Sequence, residues 1–124
     1  MPQHKRIKKA CAALVSMSAV DRERIGEILA ATVDDVTLYE EWEFSTLFGV
    51  ERPRFRELAA SWYQLIVDDQ ADLALRVETL EVVANALNNA CGYPGAHERI
   101  PHAAHADRIL VAIAGADRDM NQVG

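Results

Sequence analysis

Three histidines near the carboxyl-terminal end of the chain have side chains suited to binding a metal ion. His97, His102 and His105 fall within a stretch of nine residues. Residues three apart share one face of a helix, so His102 and His105 could hold one ion between them, with His97 reaching it from the preceding loop. No cysteine pair or His-Glu-x-x-His motif accompanies them. A metal site at these histidines is therefore an alternative hypothesis, and we expect no cofactor.

Motifs of catalytic nucleophiles and phosphate-binding loops do not occur in the sequence. It contains no Gly-x-Ser-x-Gly stretch and no Gly-x-Gly or Walker-type loop. Cys11 and Cys91 both fall in apolar patterns with helical spacing, which indicates two reduced thiols in the core. We therefore predict that the protein is not an enzyme.

A glycine corner followed by three arginines resembles the helix-turn-helix pattern of DNA-binding proteins. In residues 44–62 the turn would lie at Gly49, and the second helix would offer Arg52, Arg54 and Arg56 to a major groove. The first helix of such a motif rests on phosphates, yet the predicted one has no lysine or arginine. It carries the carboxylates of Asp34, Asp35, Glu40, Glu41 and Glu43. Because phosphate neutralisation drives DNA affinity, a DNA-binding regulator is the second choice.

The net charge of −6 conceals an uneven distribution along the chain. Residues 1–9 hold four of the thirteen lysines and arginines and no acid, so the rest has nine basic against nineteen acidic residues, a balance of −10. Such a body repels nucleic acid and anionic lipid and associates faster with basic proteins. Seven aromatic residues fall between residues 39 and 63. Most must be core, but an exposed one inside an acidic rim would form a binding hot spot.

The apolar spacing predicts an all-α protein, a single domain over residues 1–124 built as a compact antiparallel bundle of five to six helices. The helices are expected at about 4–17, 18–31, 32–48, 53–67, 70–91 and 101–115, the fifth being long and central. The expected start signals are Ser18 with Asp21, Thr32 with Asp35, and the pair Asp68–Asp69, and Gly92 is the expected left-handed end of the central helix. Residues 36–48 also fit strand alternation, which leaves helix or strand open there.

These observations favour a cytoplasmic, bacterial binding protein that inhibits a basic protein partner stoichiometrically. In composition the chain looks like toxin-neutralising immunity proteins and antitoxin-like inhibitors, and the partner would then be a toxin. Nucleic acid is disfavoured, no membrane association is expected because no apolar run is long enough, and a homodimer stays open. The predicted binding residues are Asp34, Asp35, Tyr39, Glu40, Glu41, Trp42, Glu43, Asp68, Asp69 and Asp72.

Overall fold

The described part of the chain consists of helices joined by short connections, with no strand. The computed structural model describes residues 2–68, 70 and 72–123, and the side chains within residues 7–113 of these ranges. The helices are α1 (Pro2–Val15), α2 (Ala19–Asp34), α3 (Glu41–Phe48), α4 (Arg52–Ala60), α5 (Trp62–Val67), α6 (Leu73–Gly92), α7 (Ala96–Arg99) and α8 (Ala103–Val123). The all-α prediction is confirmed, although eight helices form where five to six were expected.

Helix α6 is the central element, as predicted, because it contacts each of the other seven helices. Its buried positions are Thr79, Val82, Val83, Ala86, Leu87 and Ala90. Leu73 at its start and Cys91 near its end are exposed. Cys91 is therefore not a core thiol, whereas Cys11 is buried, and burial raises the pKa of its thiol.

Residues 32–40 depart from the predicted third helix. Helix α2 continues through Thr32, whose buried hydroxyl donates to the carbonyl of Ile28 at 2.6 Å. The Asp35 carboxylate then accepts from the backbone amides of Thr37 (3.2 Å) and Leu38 (3.1 Å), which turns the chain. An aspartate that binds amides two and three residues ahead competes with helix continuation. Residues 36–40 are therefore a connection, and only 41–48 form a helix.

The other boundaries were predicted with mixed success. Ser18 caps α2 as expected, accepting from the amide of Asp21 at 3.2 Å. Helix α6 is capped by Asp72, which accepts from Ala74 at 2.8 Å, whereas Asp68 accepts from the amide of Gln70 in the preceding turn. Asp69 lies outside the described residues. The predicted helix 53–67 is divided at Ser61, where ψ is 20° and the chain bends between α4 and α5.

Two glycines adopt the left-handed backbone conformation that other residues avoid. Gly49 has φ +80° and ends α3, as its place in the sequence predicted. Gly95 has φ +86° and precedes α7, a short helix in the expected loop. Gly92 remains inside α6, so the prediction of a left-handed residue there is wrong. Helix α8 also continues past Gly115 to Val123.

An aromatic cluster fills the space between α3, α4 and the preceding connection. Phe48 lies at its centre, with ring centroids 5.0 Å from Tyr39, 4.6 Å from Phe44 and 5.3 Å from Phe55. All four residues are fully buried. The edge-on arrangement of most pairs matches the preferred geometry of aromatic rings. This cluster fixes α3 on the body of the protein, so the residues on its outer side are held in place.

Candidate functional site

Trp42 is the most exposed large hydrophobic residue of the described chain. It lies in the first turn of α3 on the side opposite the buried Phe44 and Phe48, and 75% of its surface is accessible. The second most exposed large hydrophobic residue, Val36 at 63%, lies just before it in the connection from α2. Trp62, in contrast, is only 7% exposed. The sequence prediction of an exposed aromatic at Trp42 is thus consistent with the structure.

The two glutamates that directly precede Trp42 in the chain have different hydrogen-bond partners. Glu40 is the N-cap residue of α3, and its carboxylate accepts the hydrogen bond of the Trp42 indole N–H. Glu41 accepts from the guanidinium of Arg52 while its side chain stays 72% exposed. We call these three residues, Glu40, Glu41 and Trp42, the Trp42 surface. It combines an oriented indole ring with two carboxylates that reach the solvent.

Arg52 supports this surface from within. It is only 8% exposed and donates to the carbonyl oxygens of Val33 (2.5 Å) and Tyr39 (3.1 Å). Its guanidinium also lies 4.3 Å from the centroid of the Phe44 ring. Arg52 therefore joins the end of α2, the following connection and the start of α3. The alternative prediction that Arg52 faces a DNA groove is wrong, because a buried side chain cannot reach one.

The other arginines predicted for DNA contact are also engaged within the protein. Arg54 donates to Glu78 at 2.6 Å and to Glu57 at 3.0 Å, and Arg56 donates to Asp34 at 3.0 Å. Every arginine side chain between residues 7 and 113 likewise has a hydrogen-bond partner within the protein. The remaining partners are Tyr63 for Arg22, Asp21 for Arg24 and Arg108, the Ile66 carbonyl for Arg76, and Asp35 for Arg99.

The acidic residues predicted to bind a partner divide into paired and unpaired ones. Asp34, Asp35 and Glu41 each have an arginine partner. Glu43 is half-buried and accepts from the hydroxyl of Tyr93. Glu40, Asp68 and Asp72 have no cationic partner in the described part of the chain. Outside the predicted set, the same is true of the exposed Glu23, Glu51, Glu81, Glu98 and Asp107.

The predicted acidic residues do not form one continuous face. Helix α3 packs beside the later part of α6, where Glu43 contacts Tyr93 and Gly49 lies next to Asn85. Asp72 caps the opposite end of α6, thirteen residues before Asn85, which corresponds to about 20 Å of helix. Asp68 lies near that same end. The candidate site therefore contains the residues around Trp42 alone.

Tyr39 is the clearest correction within the predicted set. It was predicted, as an alternative to Trp42, to be the exposed anchor, but it is fully buried in the aromatic cluster. Its hydroxyl has no hydrogen-bond partner in the described structure. Burial, with the nearby Tyr93 and Asp35, raises the pKa of Tyr39 to about 12. The alternation of apolar and polar residues in this segment did not reveal the burial of Tyr39. The reason is that residues 36–40 form a turning connection, in which side chains do not follow strand or helix periodicity.

Two aspartates that bind arginine are kept ionised by their surroundings. The hydrogen bond from Arg108 lowers the pKa of Asp21 below its ordinary value, and Arg24 adds to this, while burial opposes it. Burial by itself would raise the pKa of Asp35, but hydrogen bonds from the Thr37 hydroxyl and the Leu38 and Thr37 amides, with Arg99 close by, bring it below the ordinary value. Both residues therefore act in holding the fold together.

The histidines do not gather into a metal site. His102, which has a φ of +60°, pairs with Glu27 of α2. His97 is exposed on the short helix α7, and His105 lies in the first turn of α8. In the ranges that the structure describes, no three side chains of His, Cys, Asp or Glu are arranged to hold a metal ion. The metal-binding alternative is thus not supported by the geometry.

Two shallow depressions lie along α2. One, with a volume of about 320 Å³, is lined by Ala19, Arg22, Glu23, Trp62 and Tyr63. The other, about 190 Å³, lies beside α4 and is lined mainly by small residues, with Asp34 and Arg56 at its edge. Neither lining includes a serine, cysteine or histidine. The titratable residues of these linings are Arg22, Glu23 and Tyr63 in the first and Asp34 and Arg56 in the second.

Comparisons with protein-family models, curated proteins and solved structures found no match. Within the described ranges, no helix combines the length and apolar character needed to cross a membrane. The function must therefore be inferred from the site itself.

Proposed function

We propose that this protein is a non-catalytic binding module that attaches to a basic protein partner through the Trp42 surface and inhibits it by occlusion. The inhibitor would belong to the functional type of immunity proteins and antitoxins. The single observation that carries this proposal is the 75% exposure of Trp42 beside the carboxylates of Glu40 and Glu41. An aromatic anchor within a charged rim is the arrangement found at binding hot spots.

The exposed indole provides the apolar part of the binding free energy. An aromatic residue of this kind buries about 150 to 250 Å² in an interface. At about 25 cal/mol per Å², this corresponds to roughly 4 to 6 kcal/mol before the costs of association. The bond from the indole to Glu40 already restricts the ring. Less side-chain freedom is then lost on binding, which favours affinity.

Charge favours a basic partner over nucleic acid. The described arginine side chains are all bound to carboxylates, carbonyls or a tyrosine of the same chain, so they have limited capacity to neutralise phosphates. Glu40 and several other exposed carboxylates lack a cationic partner within the described residues. An electrostatic field of this sign speeds the approach of positively charged proteins and opposes that of nucleic acid.

The test is capture from the native cell with three matched baits: the natural chain, Trp42→Ala and Val20→Ala. Val20 is a suitable control because it is another exposed apolar residue, on α2. We expect a basic protein bound at one copy per chain to the natural protein and to Val20→Ala, and lost with Trp42→Ala. An activity of that partner should fall to zero at equimolar ratio. Equal capture by all three baits, or only acidic or nucleic-acid partners, would refute the proposal.

A further inference from the structure

We infer that the indole face of Trp42 seats one lysine or arginine side chain of the partner; this inference rests on the proposed binding function. It specifies the chemistry of the contact at the centre of the Trp42 surface. The partner residue would lie flat on the ring, with its charged group directed to the carboxylates of Glu40 and Glu41.

The hydrogen bonding of Trp42 leaves only the faces of its ring for recognition. An indole has a single hydrogen-bond donor, the Nε1–H group, and no acceptor. Glu40 already accepts that hydrogen bond. A partner therefore gains nothing from placing a carbonyl or carboxylate at this edge. The accessible part of the ring is its π surface, which carries partial negative charge and attracts cations.

The neighbouring carboxylates add to this preference. Glu40 has no cationic partner within the described structure, and it lies against the ring through its bond to the indole. Glu41 binds Arg52 through one oxygen, while its side chain remains largely exposed. A lysine or arginine can lay its aliphatic stem on the indole and still direct its charged head to these oxygens. An acidic partner residue would be repelled by the same groups.

The protein already uses this kind of contact at two other rings. The guanidinium of Arg52 lies 4.3 Å from the Phe44 centroid, and that of Arg22 lies 4.8 Å from the Tyr63 centroid. In the described part of the chain, no arginine covers Trp42 in this way. Trp42 is thus a largely exposed ring that is hydrogen-bonded to a carboxylate and carries no stacked arginine among the described residues.

The inference can be tested by nuclear magnetic resonance on the ¹⁵N-labelled full chain. The probes are Nα-acetyl-lysinamide and Nα-acetyl-argininamide, and Nα-acetyl-norleucinamide is the uncharged control. We expect both cationic probes to shift the Trp42 Nε1–H signal saturably, while the signal of the buried Trp62 serves as an internal reference and stays unchanged. Glu40→Gln keeps an acceptor for the indole but removes the charge, and should weaken binding about threefold.

A second variant separates a local effect from a general one. Glu81→Gln removes an exposed carboxylate on α6 that has no ion pair in the described structure, and it should leave probe binding unchanged. Equal shifts from the norleucine and lysine probes would overturn the inference, as would equal weakening by both glutamine variants. If Trp42→Ala abolishes partner capture but no cationic probe moves the Trp42 signal, the inference fails and the proposed function stands. If the probes bind but capture is unaffected by Trp42→Ala, both fail.

Discussion

The two helices that meet at Gly49 differ in how they use their charges. In α4, Arg52 is buried against backbone carbonyls, and Arg54 and Arg56 each bind a carboxylate of another element. At the start of α3, Glu40 accepts the hydrogen bond of the Trp42 indole and has no cationic partner among the described residues, and the exposed side of the helix carries Trp42 itself. The basic helix thus stabilises the fold, while the acidic one presents an aromatic ring and negative charge to the solvent.

This difference shows that the charged residues counted in a sequence are not all available to a binding partner, because some are already paired within the protein. The pattern of residues 44–62 resembles a DNA-binding motif, and the helices and the glycine corner do form. The arginines that would read DNA are nevertheless engaged in holding α2, α3 and α6 together. A positively charged side chain that is already paired within the protein binds a phosphate more weakly, since binding the phosphate would require breaking the internal pair.

The largest predicted effect is on the free energy of unfolding, and it distinguishes the buried Arg52 from the exposed Arg56. Arg52→Ala should lower the free energy of unfolding by about 3 to 5 kcal/mol, because it leaves the carbonyls of Val33 and Tyr39 unpaired in the interior. Arg56→Ala, which breaks the exposed pair with Asp34, should cost less than about 1 kcal/mol. Urea denaturation of both variants measures this difference. Equal losses would contradict the role given to Arg52.

Trp42 should affect binding without affecting the fold. Trp42→Ala should weaken partner binding by at least about 2 kcal/mol, roughly thirtyfold, as expected for a hot-spot aromatic. Its free energy of unfolding should stay within about 0.5 kcal/mol of the natural chain, because the side chain is exposed. Calorimetric titration and urea denaturation of the same samples give the two values. A large loss of stability would instead assign Trp42 to the core.

Tyr39 provides the opposite case, an aromatic residue of the same segment that is fully buried. Its hydroxyl has no hydrogen-bond partner among the described residues, so Tyr39→Phe should raise the stability at pH 7 by about 1 kcal/mol. The folded-state pKa of about 12 is above the ordinary value of 10, so the folded state retains this proton more strongly. Stability should therefore fall as the pH rises from 10 to 12, and less so in Tyr39→Phe. Thermal unfolding at pH 7, 10 and 11 tests both statements.

The smallest predicted effect is on the stability of the protein at acidic pH. The pKa values of Asp21 and Asp35 lie below the ordinary value, so their contribution is present above about pH 4 and is lost as the pH falls through the folded-state pKa. Asp35→Asn should reduce stability at pH 7 by about 0.5 to 1 kcal/mol and flatten the decline between pH 5 and 3. An unchanged acid profile in Asp35→Asn would contradict the account of that turn.

The sequence predicted the helical class, the central helix and the corner at Gly49 because these depend on local spacing and on residues with restricted backbone preferences. It misplaced the start of α3, since Thr32 and Asp35, the expected start signal, lie at the end of α2, where the Asp35 carboxylate caps a turn instead. The burial of Arg52 and Tyr39 depends on contacts between α2, α3 and α4, which no local pattern contains. The sequence left open whether Trp42 or Tyr39 is the exposed aromatic residue, and both this choice and the bond from Trp42 to Glu40 required the structure.

The central claim, that Trp42 stands in a negative field, can be tested by fluorescence quenching. Trp62 is buried, so collisional quenchers in solution report mainly on Trp42, and Trp42→Phe provides the baseline. Relative to N-acetyltryptophanamide at the same low ionic strength, Cs⁺ should quench Trp42 more effectively and I⁻ less effectively, and added NaCl should reduce both differences. Stronger quenching by I⁻ than by Cs⁺ on that relative scale would show a positive surround and would contradict the account.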